Sequence, residues 1–284
     1  GLRRFRLSHE HIPATRHCHM THWQCCVANL PRGYFQLAAS ALALDEEGLR
    51  VIHYLPGEAS CTLPGKTDLR LALETDYPDD GRVRMTLMPS AAVDFSLRLR
   101  VPGWCRSYAV AVNASPQDVA ADQGWIVLKR CWQPGDAVEL TLDMPARLEH
   151  FDAARLGPDH PRVAWANDRW WQMGVFQEGA PPLVTLRPAD VRPHAPAVAV
   201  CRGPLVLARD LRLDEADVFA PVAQDAAPGQ LERIAPPDGI RVAYAYASAA
   251  NRFKLCDFAS AGNTWTPASR FCTWLSLAET APSG

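Results

Sequence analysis

Apolar positions along the chain change their period once, near residue 47. Over residues 29–46, Leu30, Tyr34, Leu37, Ala38, Ala41 and Leu42 recur at helical spacing and make one stripe. Asn29 stands where a cap is needed, and Pro31 falls in the first turn, where its missing N–H costs nothing. Gly48 offers a C-terminal stop. The spacing predicts a helix over 29–46. From there the period falls to two. "DLRLALETD" at 68–76 puts Leu69, Leu71 and Leu73 on one face, and "RVRMTLM" at 82–88 puts Val83, Met85 and Leu87 opposite Arg82, Arg84 and Thr86. "DFSLRLRV" at 94–101 alternates Phe95, Leu97, Leu99 and Val101 with Ser96, Arg98 and Arg100, and 125–131 and 137–142 continue around the turn "QPGD". This alternation predicts strands with one buried and one wet face, hence antiparallel sheets packed as a sandwich. Turns such as "YPDDG" at 77–81 space the strands.

Residues 150–197 are less regular, rich in Pro, and carry Trp165, Trp170 and Trp171. They read as a long connection or insertion. The strand pattern returns in "VAVCRGPLVLARD" from 198 and persists to "RFCTWLSL". The chain shows neither an internal repeat nor a low-complexity tract. A mainly β architecture follows.

Composition adds bounds. A chain of 284 residues with 48% hydrophobic and 21% charged residues can bury a sizeable core and divide into two or three domains. Its net charge of -2 offers no electrostatic reason for a nucleic acid or an anionic membrane as partner. No apolar run approaches the roughly 18–20 residues needed to span a bilayer. Residue 1 is Gly, with neither an initiator Met nor a signal pattern, so the natural N-terminus is expected upstream. Nine cysteines are spread too thinly for a disulfide scaffold and suit a reducing compartment, so a cytoplasmic rather than a secreted protein is expected.

Cys25 and Cys26, placed just before the expected helix, are the one thiol pair that invites chemistry. The bland reading is two buried structural thiols. A vicinal disulfide would strain the peptide between them. The sharper reading rests on place: unpaired N–H groups and the dipole at a helix N-terminus stabilise a thiolate, which is both a zinc ligand and a nucleophile. His17, Cys18, His19 and His22 are local candidates for further ligands, though their spacing matches no standard finger. Trp170 and Trp171 offer sugar-stacking faces or an edge of core, and Trp125 and Trp132 read as core beside a hairpin. Asp79–Asp80 and Glu46–Glu47 lie in turn-like contexts where solvated carboxylates are the usual case.

The order of segments carries a resemblance. "WQCCVANLPRG" is followed by "GLRVIHYLPGEA", "LETDYPDDGRVRMTL", "FSLRLRVPGWC" and "VAVNA", then by "GWIVLKRCWQPGDAVELTLDMPAR", "CRGPLVLARD" and "DFASAGNTW". This resembles glycoside hydrolase family 127, the β-L-arabinofuranosidases, over nearly all the chain and least at 150–197. The most telling element is Cys25, Cys26, Asn29 and Arg32. The resemblance implies an (α/α)6 barrel followed by two β-sandwich domains, of which this chain is the C-terminal portion. Residues 1–46 would be the end of the barrel, 47–149 the middle β-sandwich, 150–197 an irregular connection and 198–284 the C-terminal β domain. The family implies a zinc ion held by one glutamate and three cysteines, with Cys25 as both nucleophile and ligand and Cys26 as a ligand. A separate glutamate serves as acid and base in a retaining hydrolysis of β-L-arabinofuranosides in plant glycans. The third cysteine and the glutamate ligand belong to an upstream E-x-C element, and the acid/base also belongs upstream. Glu10 is the sole acidic residue before the pair and matches neither role, and Cys18 lies too close to be the third cysteine. The zinc site in the chain is therefore incomplete, and the chain alone is expected to be inactive. Without the barrel, the stripe of the 29–46 helix is expected to face water. Family members pair through β domains, so a homodimer is a further expectation. The rival reading is a non-catalytic β-sandwich module that binds carbohydrate or scaffolds.

Overall fold

The computed structural model describes residues 24–150, 197–213, 217–263 and 270–278, with side chains from Arg32 onward. The chain divides into two units, one from the first helix to Met144 and a second that takes up the chain at Pro145.

The helix, α1, runs Gln24–Ala39. It starts ahead of the expected Asn29 cap and ends well before 46. Asn29 and Pro31 lie inside it, so Pro31 removes one intrahelical hydrogen bond rather than occupying a harmless first-turn position. The segment expected to complete the helix is instead a hairpin of β1 (Leu42–Asp45) and β2 (Gly48–Val51). "LALDEEGLRV" satisfies both periods. Pairing Leu42 with Val51 and Leu44 with Leu49 decides for the strand, and Asp45 Oδ1 closes the turn by accepting from the N–H groups of Glu47 (2.9 Å) and Gly48 (3.1 Å). Two residues, Ser40 and Ala41, join helix to sheet. The Ala41 carbonyl accepts from both Ile52 N (2.8 Å) and His53 N (3.2 Å).

The chain then lays down β3 (Gly57–Thr62), β4 (Asp68–Thr75), β5 (Arg82–Pro89), β6 (Val93–Arg100), β7 (Tyr108–Val112), β8 (Ser115–Pro116), β9 (Trp125–Trp132) and β10 (Asp136–Leu142). They form a four-stranded sheet in the order β1-β2-β6-β9 and a six-stranded sheet in the order β3-β4-β5-β10-β7-β8. The inward residues predicted from alternation, Leu69, Leu71, Leu73, Val83, Met85, Leu87, Phe95, Leu97 and Leu99, are all buried in one core with Trp132. Trp132 is fully enclosed and donates from Nε1 to the Phe95 carbonyl at 3.0 Å.

β6 departs from the expected wet face. Ser96 and Arg98 are buried as well as the apolar set. β2 runs parallel to β6 with Gly48 opposite Ser96, and the Arg98 guanidinium meets the carboxylates of Asp45 (3.1 Å) and Glu47. Asp45 also accepts from Arg50 Nε at 2.7 Å. That bond, with Arg98 and the Gly48 N–H against a smaller opposing effect of burial, holds the Asp45 carboxyl below its ordinary range. A buried guanidinium tolerates this site because acidic partners surround it.

The second unit contains β11 (Ala146–His150), β12 (Ala197–Arg202), β13 (Leu205–Asp210), β14 (Gln230–Ile234), β15 (Ala243–Ala247), β16 (Arg252–Asp257), β17 (Phe271–Cys272) and β18 (Leu275–Ser276). The expected connection at 150–197 falls almost wholly outside the described residues, but its ends lie on adjacent strands, with His150 opposite Val198. The β12–β13 hairpin is paired only at its tip, Cys201 with Val206 and Arg202 with Leu205. Beyond the tip β18 pairs with β12 and β17 with β13, so the 271–276 ribbon continues both arms. At the far end of β13, Asp210 is buried and accepts from Arg212 Nε and Nη2 (both 2.9 Å) and Gly262 N (2.7 Å). Burial pushes its carboxyl up, but these donors outweigh burial and leave it below the ordinary range. Arg212 also donates to Asn263 Oδ1 (2.7 Å) and the Ser260 carbonyl (2.8 Å), tying the "DFASAGN" loop to the sheet.

Candidate functional site

Cys25 and Cys26 are the second and third residues of α1, inside its first turn rather than ahead of it. Their amides, with those of Gln24 and Val27, are the four donors that a helix leaves without an internal acceptor. The positive end of the helix dipole is there too. The thiol groups themselves lie outside the described residues, as do His17, Cys18, His19, His22, Trp165, Trp170 and Trp171.

Further along α1, residues 32–39 are all exposed, with Phe35 at 78%, Tyr34 at 53% and Leu37 at 38% of full accessibility. Apolar residues on a helix are ordinarily buried, and among the described side chains of α1 none is.

The other acidic and aromatic candidates resolve as framework. Glu46 and Glu47 form the β1–β2 turn, Glu47 engaging Arg98. Asp80 accepts from the Arg82 backbone N–H at 2.8 Å and from its guanidinium at 2.9 Å within the β4–β5 turn. Trp125 is half-buried with the Arg50 guanidinium 5.6 Å from its ring centre. Among the described side chains, no three of His, Cys, Asp or Glu converge as a metal ion would require. Of the remaining described thiols, Cys201, Cys256 and Cys272 are buried, Cys61 and Cys105 are partly buried, and Cys131 is exposed. Burial pushes up the thiols of Cys61, Cys105 and Cys201, and that of Cys272 up to about 12. No helix of the described residues is long and apolar enough to cross a membrane.

Sequence reasoning missed the Asp45, Glu47, Arg50 and Arg98 cluster. The only signal was an acidic turn, "DEEG", and two arginines, with nothing to say that a parallel pairing brings them together.

Comparison with known proteins places these features. Residues 48–144 match the family model of the β-L-arabinofuranosidase GH127 middle domain. Among solved structures, the chain is similar to a GH127 β-L-arabinofuranosidase from Geobacillus stearothermophilus T6, with 23% identity, a TM-score of 0.61, and coverage of 89% of this chain and 37% of that one. It is similar to a protein described as a glycoside hydrolase, with 24% identity, a TM-score of 0.62, and coverage of 94% and 41%. A GH127 β-arabinofuranosidase gives 21%, 0.60, 89% and 38%. These likenesses establish a shared fold, and the chain spans about two fifths of the length of these structures. No curated protein matches the chain by sequence.

Proposed function

Since the chain belongs to glycoside hydrolase family 127 through its middle domain at 48–144, we propose that it is the C-terminal portion of a retaining β-L-arabinofuranosidase-like hydrolase that uses a cysteine nucleophile. The observation that carries the reading is the position of Cys25 and Cys26 in the first turn of α1, on a helix whose apolar residues 34, 35 and 37 stand exposed. A thiolate is favoured at that turn, and so apolar a helix belongs inside a larger helical body.

In this reading the Cys25 sulfur attacks the anomeric carbon of an arabinofuranoside. A carbon–sulfur bond forms as the glycosidic carbon–oxygen bond breaks, and the leaving oxygen takes a proton from a carboxylic acid contributed by the upstream portion. Water then displaces the sulfur from the same carbon, giving up its proton to that carboxylate, and Cys25 is released as a thiolate. Two displacements at one carbon retain its configuration. Cys26 would serve beside it as a second ligand to the metal. The donor set present suits half of a thiolate zinc centre: Cys25 and Cys26 would hold the ion, and a tetrahedral site needs two ligands more. Zinc at this place would keep the sulfur ionised.

The reading is tested with an aryl β-L-arabinofuranoside and parallel zinc analysis. Residues 1–284 alone should show negligible turnover, because an absent general acid alone costs typically ~10²–10⁴-fold. Joined to the upstream portion, the chain should be active, Cys25→Ser should abolish turnover, and Cys26→Ser should chiefly lower the zinc content. Robust turnover by residues 1–284 would overturn the division of the site between the two portions.

A further inference from the structure

The polar residues of α1 are gathered on one side of it. Past Gln24 at its start, the helix holds three polar residues besides its thiols, Asn29, Arg32 and Gln36, at the fourth, seventh and eleventh positions after Cys25. At 3.6 residues per turn, these three and Cys25 fall within ~60° of one another around the axis. Arg32 is the single charged residue of α1. The flanks of this ladder are small. Ala28 and Ala39 lie on one side, and Gly33 and Cys26 on the other, where a Cβ added at Gly33 would meet nothing within 4 Å. The rest of the circumference is apolar, with Val27, Leu30, Tyr34, Phe35 and Leu37.

A surface helix carries a broad charged face. α1 carries a narrow polar one, headed by a thiol residue. A molecule that reaches the Cys25 sulfur comes up against this side of the helix, and the residues in line with Cys25 are the ones it meets. With a rise of ~1.5 Å per residue, Asn29 starts ~6 Å along the axis from Cys25, Arg32 ~10 Å and Gln36 ~16 Å. Side chains on a helix lean toward its N-terminus, which favours the reach of an amide at 29 and of a long guanidinium at 32 toward position 25. Gln36 starts too far along the axis to share that reach.

Resting on the cysteine-nucleophile reading, we propose that Asn29 and Arg32 are substrate-binding residues, donating hydrogen bonds to hydroxyl oxygens of the furanosyl unit that Cys25 attacks. An arginine has five N–H donors, an asparagine supplies two donors and a carbonyl acceptor, and a sugar hydroxyl accepts as well as donates. On a helix enclosed in a larger helical body, polar groups need such partners, because a polar group buried without a hydrogen bond is costly. The small flanking residues leave room beside the ladder for a ring to lie against it.

The test is calorimetric titration of the chain joined to its upstream portion with 1,4-anhydro-L-arabinitol, the furanose ring without an anomeric oxygen, so that no bond is cleaved. Zinc content and a thermal melt accompany every variant. Asn29→Ala and Arg32→Met should each weaken binding about tenfold or more, with zinc content unchanged, while Gln36→Ala should change it less than about twofold. Where either of the first two does not fold, Asn29→Ser or Arg32→Gln takes its place, with a loss of about threefold or more expected. Lack of binding by the unsubstituted protein, unchanged affinity in a folded Asn29 or Arg32 variant, an equal loss in Gln36→Ala, or a loss that only follows zinc content would overturn the proposal. An Arg32 that merely pairs with a carboxylate of the upstream portion gives the second of these results. Turnover of Cys25→Ser reports on the nucleophile and this titration does not, so either reading can fail while the other stands.

Discussion

Gly48→Ala probes the parallel pairing that builds the first unit. Gly48 has φ +141°, a conformation that side-chain-bearing residues rarely adopt, and a methyl there would sit 2.4 Å from the Ser96 carbonyl oxygen, 3.0 Å from Ser96 N and 3.1 Å from Phe95 Cβ. The backbone conformation alone costs a non-glycine residue ~1–3 kcal/mol. The contact adds a clash with backbone that cannot rotate away, and overpacking of this kind costs typically ~1–3 kcal/mol. Relief requires β2 to move off β6, which would stretch the Ser96 N to Glu47 carbonyl bond of 2.9 Å and withdraw Asp45 and Glu47 from the buried Arg98. The expected loss is about 3–5 kcal/mol, against a total of ~5–15 for an ordinary domain. Gly57 supplies the control. Its φ is +144°, yet nothing lies within 4 Å of an added Cβ, so Gly57→Ala carries the backbone cost without the clash. Urea unfolding followed by tryptophan fluorescence, which reports on buried Trp132, measures both. Gly48→Ala destabilising no more than Gly57→Ala would refute the close β2–β6 approach.

Ala114, at φ 62° beside Asn113 at φ 51°, occupies the two-residue β7–β8 turn where glycine is favoured, so Ala114→Gly should stabilise the unit by ~0.5–1 kcal/mol in the same urea assay. Asp210 has a lowered folded pKa, so its contribution is present above the ordinary aspartate value of ~3.9 and is lost as pH falls through the folded value. Asp210→Asn should therefore flatten the acid side of the stability–pH curve. Cys272 has the opposite sense: its thiol, ordinarily near 9.0, is pushed up to about 12 by burial despite the nearby Arg209, so stability present below 9.0 is lost progressively toward 12. Cys272→Ala should remove that alkaline loss, measured as the difference between the two stability–pH curves.

The sandwich strands were legible because each of β4, β5 and β10 buries alternate residues, and a period of two is visible without knowing any partner. The helix was misplaced for a physical reason. Asn29 and Pro31 make good helix starts, and Leu42 keeps the helical spacing from Leu30, Tyr34 and Ala38, so local preference favoured 29–46. Pairing of 42–45 with 48–51 overrode that preference at one end, and α1 extends to Gln24 at the other despite the lost Pro31 hydrogen bond. The burial of Ser96 and Arg98 depends on β2 lying parallel beside β6, a contact between segments nearly fifty residues apart that no local pattern encodes. The opened β12–β13 hairpin is of the same kind, since its arms are completed by a ribbon some sixty residues downstream. The thiol pair stood out in the sequence by residue type and spacing. Its situation inside rather than before the first turn followed only from the helix boundary.

Covalent trapping tests the nucleophile most directly. The chain joined to its upstream portion is mixed with an aryl β-L-arabinofuranoside, quenched in acid during turnover and digested for mass spectrometry. The account predicts one arabinosyl unit on the peptide that contains Cys25, absent from Cys25→Ser. An arabinosyl unit carried by an aspartate or glutamate, or undiminished turnover in Cys25→Ser, would contradict it.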